Sequence, residues 1–178
     1  NRRLHRQGRG VALKYTLAVL VSNQPGVLNR VTSMFRRRQF NISSLTVGCT
    51  ENPEVSRITT IFEGNEESKE QLVNQLYKLQ DVMDVKQLDD DSVSRELLLI
   101  KMKNDAATRE EIHTALAAYE AKIVDYTRDS MVIQLAGSTR CIDTFISLMK
   151  DYTILEICRT GVVSLQRGGS TIGSVTHL

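Results

Sequence analysis

Alternating apolar and polar positions give way to helical spacing and then alternate again, and this succession runs twice along the chain. KYTLAVLV, from Lys14 to Val21, is β-rich and closes in the turn string SNQPG. After it Val27, Leu28, Val31, Met34 and Phe35 recur at helical spacing, with Asn29, Arg30, Arg36 and Arg37 turned outward. Two β-rich runs follow, Ile42–Thr50 and Val55–Phe62, joined by the turn TENPE, where Asn52 and Pro53 supply the turn chemistry. Glu66–Leu79 then places Leu72, Val73, Leu76 and Leu79 on one helical face, and Val82–Leu88 alternates as a last strand. The predicted order is βαββαβ.

The run Asp89, Asp90, Asp91 and Ser92 breaks the pattern, because like charges in a row prefer water, and it marks the predicted domain boundary. A second pass begins there. Ser94–Met102 reads as a strand. Thr108–Tyr119 reads as a helix opening on a capping box, with Thr108 and, three residues on, Glu111. Lys122–Thr127 and Met131–Ala136 form a hairpin around Arg128 and Asp129. Cys141–Lys150 is a helix with Ile142, Phe145, Ile146 and Met149 on its apolar face, and Ile154–Leu165 is one long final strand. The expected fold is α+β: two tandem ferredoxin-like βαββαβ domains, at 13–90 and 94–166, each an antiparallel sheet with two helices on one face. Residues 1–12 read as a basic flexible tail rather than a nucleic-acid arm or targeting remnant. Residues 167–178 read as a Gly- and Ser-rich tail in which Ile172 and Val175 leave room for a short docking strand.

Composition narrows the function classes. At 178 residues and 41% hydrophobic content the chain can bury two small cores, and a net charge of +2 gives no field for nucleic acid or membrane. No apolar run approaches the roughly 20 residues that span a bilayer. Three cysteines without a C-x-x-C pair fit reduced thiols in the cytoplasm, and Cys141 and Cys158 read as small core residues. No catalytic set emerges. His5, His113 and His177 fall in a tail, on a polar helix face and at the chain end, and the acidic run lies in the linker. No metal site and no catalytic residue is assigned.

The first strand-to-helix turn is the candidate binding site. Pro25 fixes φ, Gly26 allows close backbone approach, and the helix that follows begins with free N–H groups that favour a carboxylate. A free amino acid offers that carboxylate, an ammonium for the side-chain oxygens of Asn23 and Asn41, and an apolar tail suited to Val27 or Ile42. An ordinary turn at Asn23-Gln24-Pro25-Gly26, with Asn41 as a strand-entry residue, accounts for the same residues, and both readings stand at this stage.

The string NQPGVLNRVTSMFRRRQFNISSLTVG, the later SRITTIF and QLYKLQDVMDV, and the second-half segments QLAG and ICRTGVVSLQRG resemble the small regulatory subunit of acetolactate synthase, also called acetohydroxyacid synthase. The likeness spans nearly the whole chain outside the tails. It implies that the first domain is an ACT domain that pairs side by side into a homodimer and binds valine, or another branched-chain amino acid, at the interface. By the resemblance Asn23, Gly26 and Asn41 match the family's feedback positions, with Asn29 at a neighbouring position where smaller residues are also typical; together with the reading of the turn, the expected effector site comprises Asn23, Gln24, Pro25, Gly26, Val27, Leu28, Asn41 and Ile42. Gln39 departs from the glycine common before the F/Y-N-I motif. The resemblance also implies a non-catalytic chain that activates a separate large subunit and confers feedback inhibition on branched-chain amino acid biosynthesis, that of isoleucine included. Thiamine diphosphate, Mg²⁺ and often FAD are expected on that partner and no cofactor on this chain. The competing expectations are a free-standing amino-acid sensor or transcription co-regulator, disfavoured by the lack of a basic recognition helix, and a small enzyme on a ferredoxin-like scaffold, disfavoured by the missing acid-base residues.

Overall fold

The computed structural model describes residues 12–173. In the first half the order is β1 (Leu13–Ser22), α1 (Val27–Arg37), β2 (Asn41–Cys49), β3 (Val55–Gly64), α2 (Glu66–Tyr77) and β4 (Val82–Leu88). Its sheet runs β2-β3-β1-β4 and every neighbouring pair is antiparallel. Period two along β1 sends Tyr15, Leu17, Val19 and Val21 to one face, where they meet Val27, Val31, Met34 and Phe35 of α1 and Leu72 and Leu76 of α2. Both helices therefore cover the same face. Each such buried aliphatic or aromatic side chain contributes about 1.5–3 kcal/mol relative to exposure.

The second half repeats the plan with β5 (Val93–Lys103), α3 (Arg109–Ala118), β6 (Lys122–Tyr126), β7 (Ser130–Gly137), α4 (Thr139–Met149) and β8 (Ile154–Arg159), in the order β6-β7-β5-β8. Leu98, Ile100 and Met102 of β5 pack on Ile112 and Leu116 of α3 and on Ile142, Phe145 and Met149 of α4. Two tandem ferredoxin-like βαββαβ units are thus present. One compact unit holds the described residues to Asp90 together with those from Gly168 onward, and the other holds Asp91–Arg167, so the boundary cuts the acidic run.

Four details differ from the pattern-based expectation. The final strand is two strands, β8 and β9 (Val163–Leu165), both paired to β5; Gly161, at φ 83°, breaks the ladder between them. The Thr108–Glu111 capping box does not form, since Thr108 sits at helical φ/ψ and its side chain makes no cap. Asp105 accepts from the Ala107 N–H (3.0 Å) instead, and Glu111 accepts from the Tyr152 hydroxyl. Cys158 is exposed on the edge strand β8, whereas Cys141 packs against the core. Finally, residues 168–173 lie against the first unit: Lys86 Nζ donates to Ser170 Oγ (2.6 Å) and the Thr171 carbonyl (2.9 Å), and the Gly173 N–H donates to Asp84 Oδ2 (2.8 Å). The basic tail to residue 11, His5, Val175 and His177 lie outside the described residues.

Candidate functional site

Asn23, Gln24, Pro25 and Gly26 form an exposed turn between β1 and α1. Gly26 stands at φ 85°, ψ −7°, in the left-handed region where a Cβ is strained; an added Cβ would also lie 3.1 Å from Arg30 Nη1. This is why the turn needs glycine. No side chain caps α1 and no acidic residue stands in its first turn, so the helix start keeps its partial positive charge; the Val27 N–H donates to the Gln24 carbonyl (3.3 Å), and the Leu28 and Asn29 amides are left to a ligand or water. Asp81 anchors the turn from below. Its carboxylate accepts from Ser22 Oγ (3.2 Å) and Arg30 Nε (2.6 Å), and its carbonyl accepts from the Ser22 N–H (2.9 Å). The hydrogen bond from Arg30 is the main cause that holds the Asp81 carboxyl below its ordinary range.

The two asparagines are each oriented by their amide nitrogens. Asn23 Nδ2 donates to the Pro53 carbonyl (2.8 Å) and touches Cys49 Sγ (3.8 Å), and Asn41 Nδ2 donates to Glu63 Oε2 (3.1 Å). Both oxygens, Oδ1, are left to accept. Val27 lies in the core at 3% exposed, so it is withheld from any ligand, while Leu28, 43% exposed, is the apolar side chain that α1 presents at its start. Ile42 is half-buried against the core.

The structure does not bring Asn23 and Asn41 together within one chain. Ser22 pairs with Val55 on β3, and Asn41 pairs with Glu63. Eight residues of β3 separate those levels, about 26 Å at the rise of a strand. Asn23 sits at one end of the sheet and Asn41 at the other. Glu63, Asp81 and Pro53, which orient the site, were not found from the sequence; their roles depend on strand register, which one sequence does not display.

The second unit has a counterpart to this turn. Asn104 follows β5 as Asn23 follows β1, and its Nδ2 donates to the Thr127 carbonyl (2.6 Å) of the following hairpin. There the oxygen is taken: Arg109 Nε donates to Asn104 Oδ1 (2.8 Å), and Asn104 is only 7% exposed. The Asp105 carboxyl is held low, chiefly by the Ala107 N–H and then by Lys103.

The ACT domain of the acetohydroxyacid synthase (AHAS) small subunit, as a family model, matches residues 17–84, and a model described as the small subunit of acetolactate synthase matches residues 95–168. The chain belongs to the acetolactate synthase small-subunit family. Within that family it is 44% identical over 161 residues to the acetolactate synthase small subunit of Mycolicibacterium smegmatis, covering 90% of this chain and 95% of that one. To the Bacillus subtilis acetolactate synthase small subunit it is 44% identical over 159 residues, covering 88% and 92%. The crystal structure of the small subunit from Thermotoga maritima superposes with a TM-score of 0.84 at 35% identity, over 89% of this chain and 99% of that one. Among the described residues no cluster of His, Cys, Asp or Glu is arranged to hold a metal, and no helix is long and apolar enough to cross a membrane.

Proposed function

We propose that this chain is a regulatory subunit that binds valine at two equivalent sites of a homodimer and thereby sets the activity of a separate catalytic large subunit. The observation that carries this reading is the separation of Asn23 from Asn41. One chain cannot offer both to one small ligand, but two chains can. Strand β2 is an edge of its sheet. At the opposite edge, Tyr77 Oη exchanges hydrogen bonds with the backbone of Val85 on β4 (3.1 and 3.2 Å), which blunts that side for pairing. A twofold antiparallel pairing of β2 with β2 sets the Asn41 end of one copy against the Cys49 end of the other. Asn23 touches Cys49, so one copy's Asn41 meets the other copy's Gly26 turn.

At that junction the free amides of α1 take the amino-acid carboxylate, Oδ1 of Asn23 and of Asn41 accept from the ammonium, and Leu28 and Ile42 line the apolar tail. A β-branched tail of valine's size suits so small an apolar surface; leucine or isoleucine is the same chemistry enlarged. The names of the relatives support a large-subunit partner, and in this reading thiamine diphosphate, Mg²⁺ and often FAD are carried by that partner. In this reading the chain makes no acetolactate alone and raises the activity of its cognate large subunit on mixing, and valine then inhibits the complex.

Hybrid dimers test the shared site. Asn23→Ala and Asn41→Ala chains each lose valine binding alone, because both sites of each homodimer are damaged. A hybrid dimer carries one doubly damaged and one intact site, so calorimetry on the equilibrated mixture recovers tight sites, one per hybrid. No recovery, with hybrid formation verified by mass, overturns the shared-site reading.

A further inference from the structure

Between the last turns of α1 and α2 lies a groove of about 470 Å³ lined by Met34, Arg37, Arg38, Gln75, Lys78 and Leu79. Three of the six are cations and none is an acid. Nearby Arg30 is paired with Asp81, but Arg37, Arg38 and Lys78 form no ion pair among the described residues. Unspent cations over an apolar floor, where Met34 is 4% exposed, are more than a helix terminus requires. Complementing the negative ends of the helices accounts for basic residues in these turns, with Arg36 and Arg37 in the last turn of α1. It does not account for their lining one cavity that no acidic side chain enters.

We infer that this groove receives an acidic segment of the catalytic large subunit, with carboxylates on the Arg37–Arg38–Lys78 rim and an apolar side chain over Met34 and Leu79. The inference rests on the regulatory reading above for the existence of that partner, and extends it to a surface. An extended peptide fits better than a compact phosphate. The backbone reaching the groove is the C-terminal turn of each helix, whose outward carbonyls repel a dense anion that a helix N-terminus would attract. Long guanidinium and ammonium arms instead meet carboxylates spaced along a chain, with Arg forming paired hydrogen bonds.

The test uses the full chain with its large subunit. Arg37→Glu/Arg38→Glu/Lys78→Glu should raise the concentration for half-maximal activation at least tenfold, and the neutral Gln triple should raise it less. The activation midpoint of the parent should weaken steeply between low and physiological salt, and that of the Gln triple should not. Valine binding to the isolated variants, read by calorimetry, should match the parent. Activation by both triples at the parent's concentration and salt dependence overturns the assignment. Displacement of the large subunit by inorganic pyrophosphate at sub-millimolar concentration, lost in the Gln triple, also overturns it in favour of a small-anion site. If the parent chain itself fails to activate, it is the regulatory reading that falls.

Discussion

Asn23 and Asn104 occupy the same place in two copies of one fold, and even their backbones agree, with N–H groups donating to Glu54 (2.7 Å) and Asp129 (2.9 Å) in the hairpins that follow. What surrounds their oxygens differs. In the second unit a guanidinium fills the position beside the asparagine and a carboxylate fills the position on the amides that lead into the helix. Arg109 and Asp105 thus supply from the chain a cation and an anion at the positions that the proposed function gives to the ligand's ammonium and carboxylate. The first unit supplies neither, keeping an exposed Asn23 and an uncapped α1. The buried Asn104 must find its partner within the chain, whereas the exposed Asn23 keeps its oxygen open to solvent and, in the reading proposed above, to the ligand.

That contrast is broken most directly by disturbing the open turn. Asn41→Ala removes a hydrogen bond to a charged group, worth about 1.5–3 kcal/mol, and should weaken valine inhibition of the reconstituted complex roughly tenfold to a hundredfold. Gln24→Asp, which places a carboxylate where the second unit has Asp105, should weaken it on a similar scale while the chain stays folded. Gly26→Asp should do at least as much, with the added strain of a side chain at φ 85°. Valine inhibition curves decide; variants as sensitive as the parent return the turn to an ordinary one.

The closed turn should respond in stability rather than binding. Arg109→Ala removes the shorter of two hydrogen bonds to the buried Asn104 oxygen, leaving the longer one from the Tyr126 hydroxyl (3.5 Å), and should cost the second unit about 1 kcal/mol in denaturant unfolding, with the valine response intact. A smaller effect tests where the two units agree. The first helix of each unit ends on a non-glycine residue in the left-handed region, Gln39 at φ 56° and Glu120 at φ 55°, with the Phe40 N–H reaching Phe35 and the Ala121 N–H reaching Leu116. Gln39→Gly and Glu120→Gly should each stabilise by about 0.5–1 kcal/mol, measured by thermal unfolding. The departure at Gln39 therefore retains the backbone that glycine would favour.

The smallest effect is on pH. Asp81 and Asp105 both have carboxyls held low in the folded chain. Such a group lends stability above its unfolded pKa, and that stability fades as pH falls through the lower folded value. Acid titration followed by amide exchange should show the Ser22–Arg30 turn loosening only below the ordinary carboxylate range. Asp81→Asn should remove that pH response from the first turn and leave the one at Asp105.

Much of this was legible in the residues. Periodicity gave both βαββαβ passes, because hydrophobic spacing is a local property. Gly161 hid inside a β-branched run, so the break between β8 and β9 did not show. Thr108 and Glu111 have capping-box spacing, but Asp105 reaches a helix-entry amide first. Asn23, Gly26 and Asn41 were all singled out, and the resemblance implied a site at a dimer interface, but nothing in the residues said how far apart they lie within one chain. The register of β1, β2 and β3, which one sequence does not display, puts about 26 Å between the levels of Asn23 and Asn41 within one chain.

Lys86 and Asp84 hold residues 168–173 on the first unit, so the order of synthesis and the order of assembly cannot coincide. A ribosome releases β1 to β4 early, and that sheet can form on its own schedule, yet the segment that lies on it emerges only after the whole second unit has been made. The first unit is therefore finished last, and a chain severed at the acidic linker leaves its polar contacts at Lys86 and Asp84 waiting on a piece that is no longer attached.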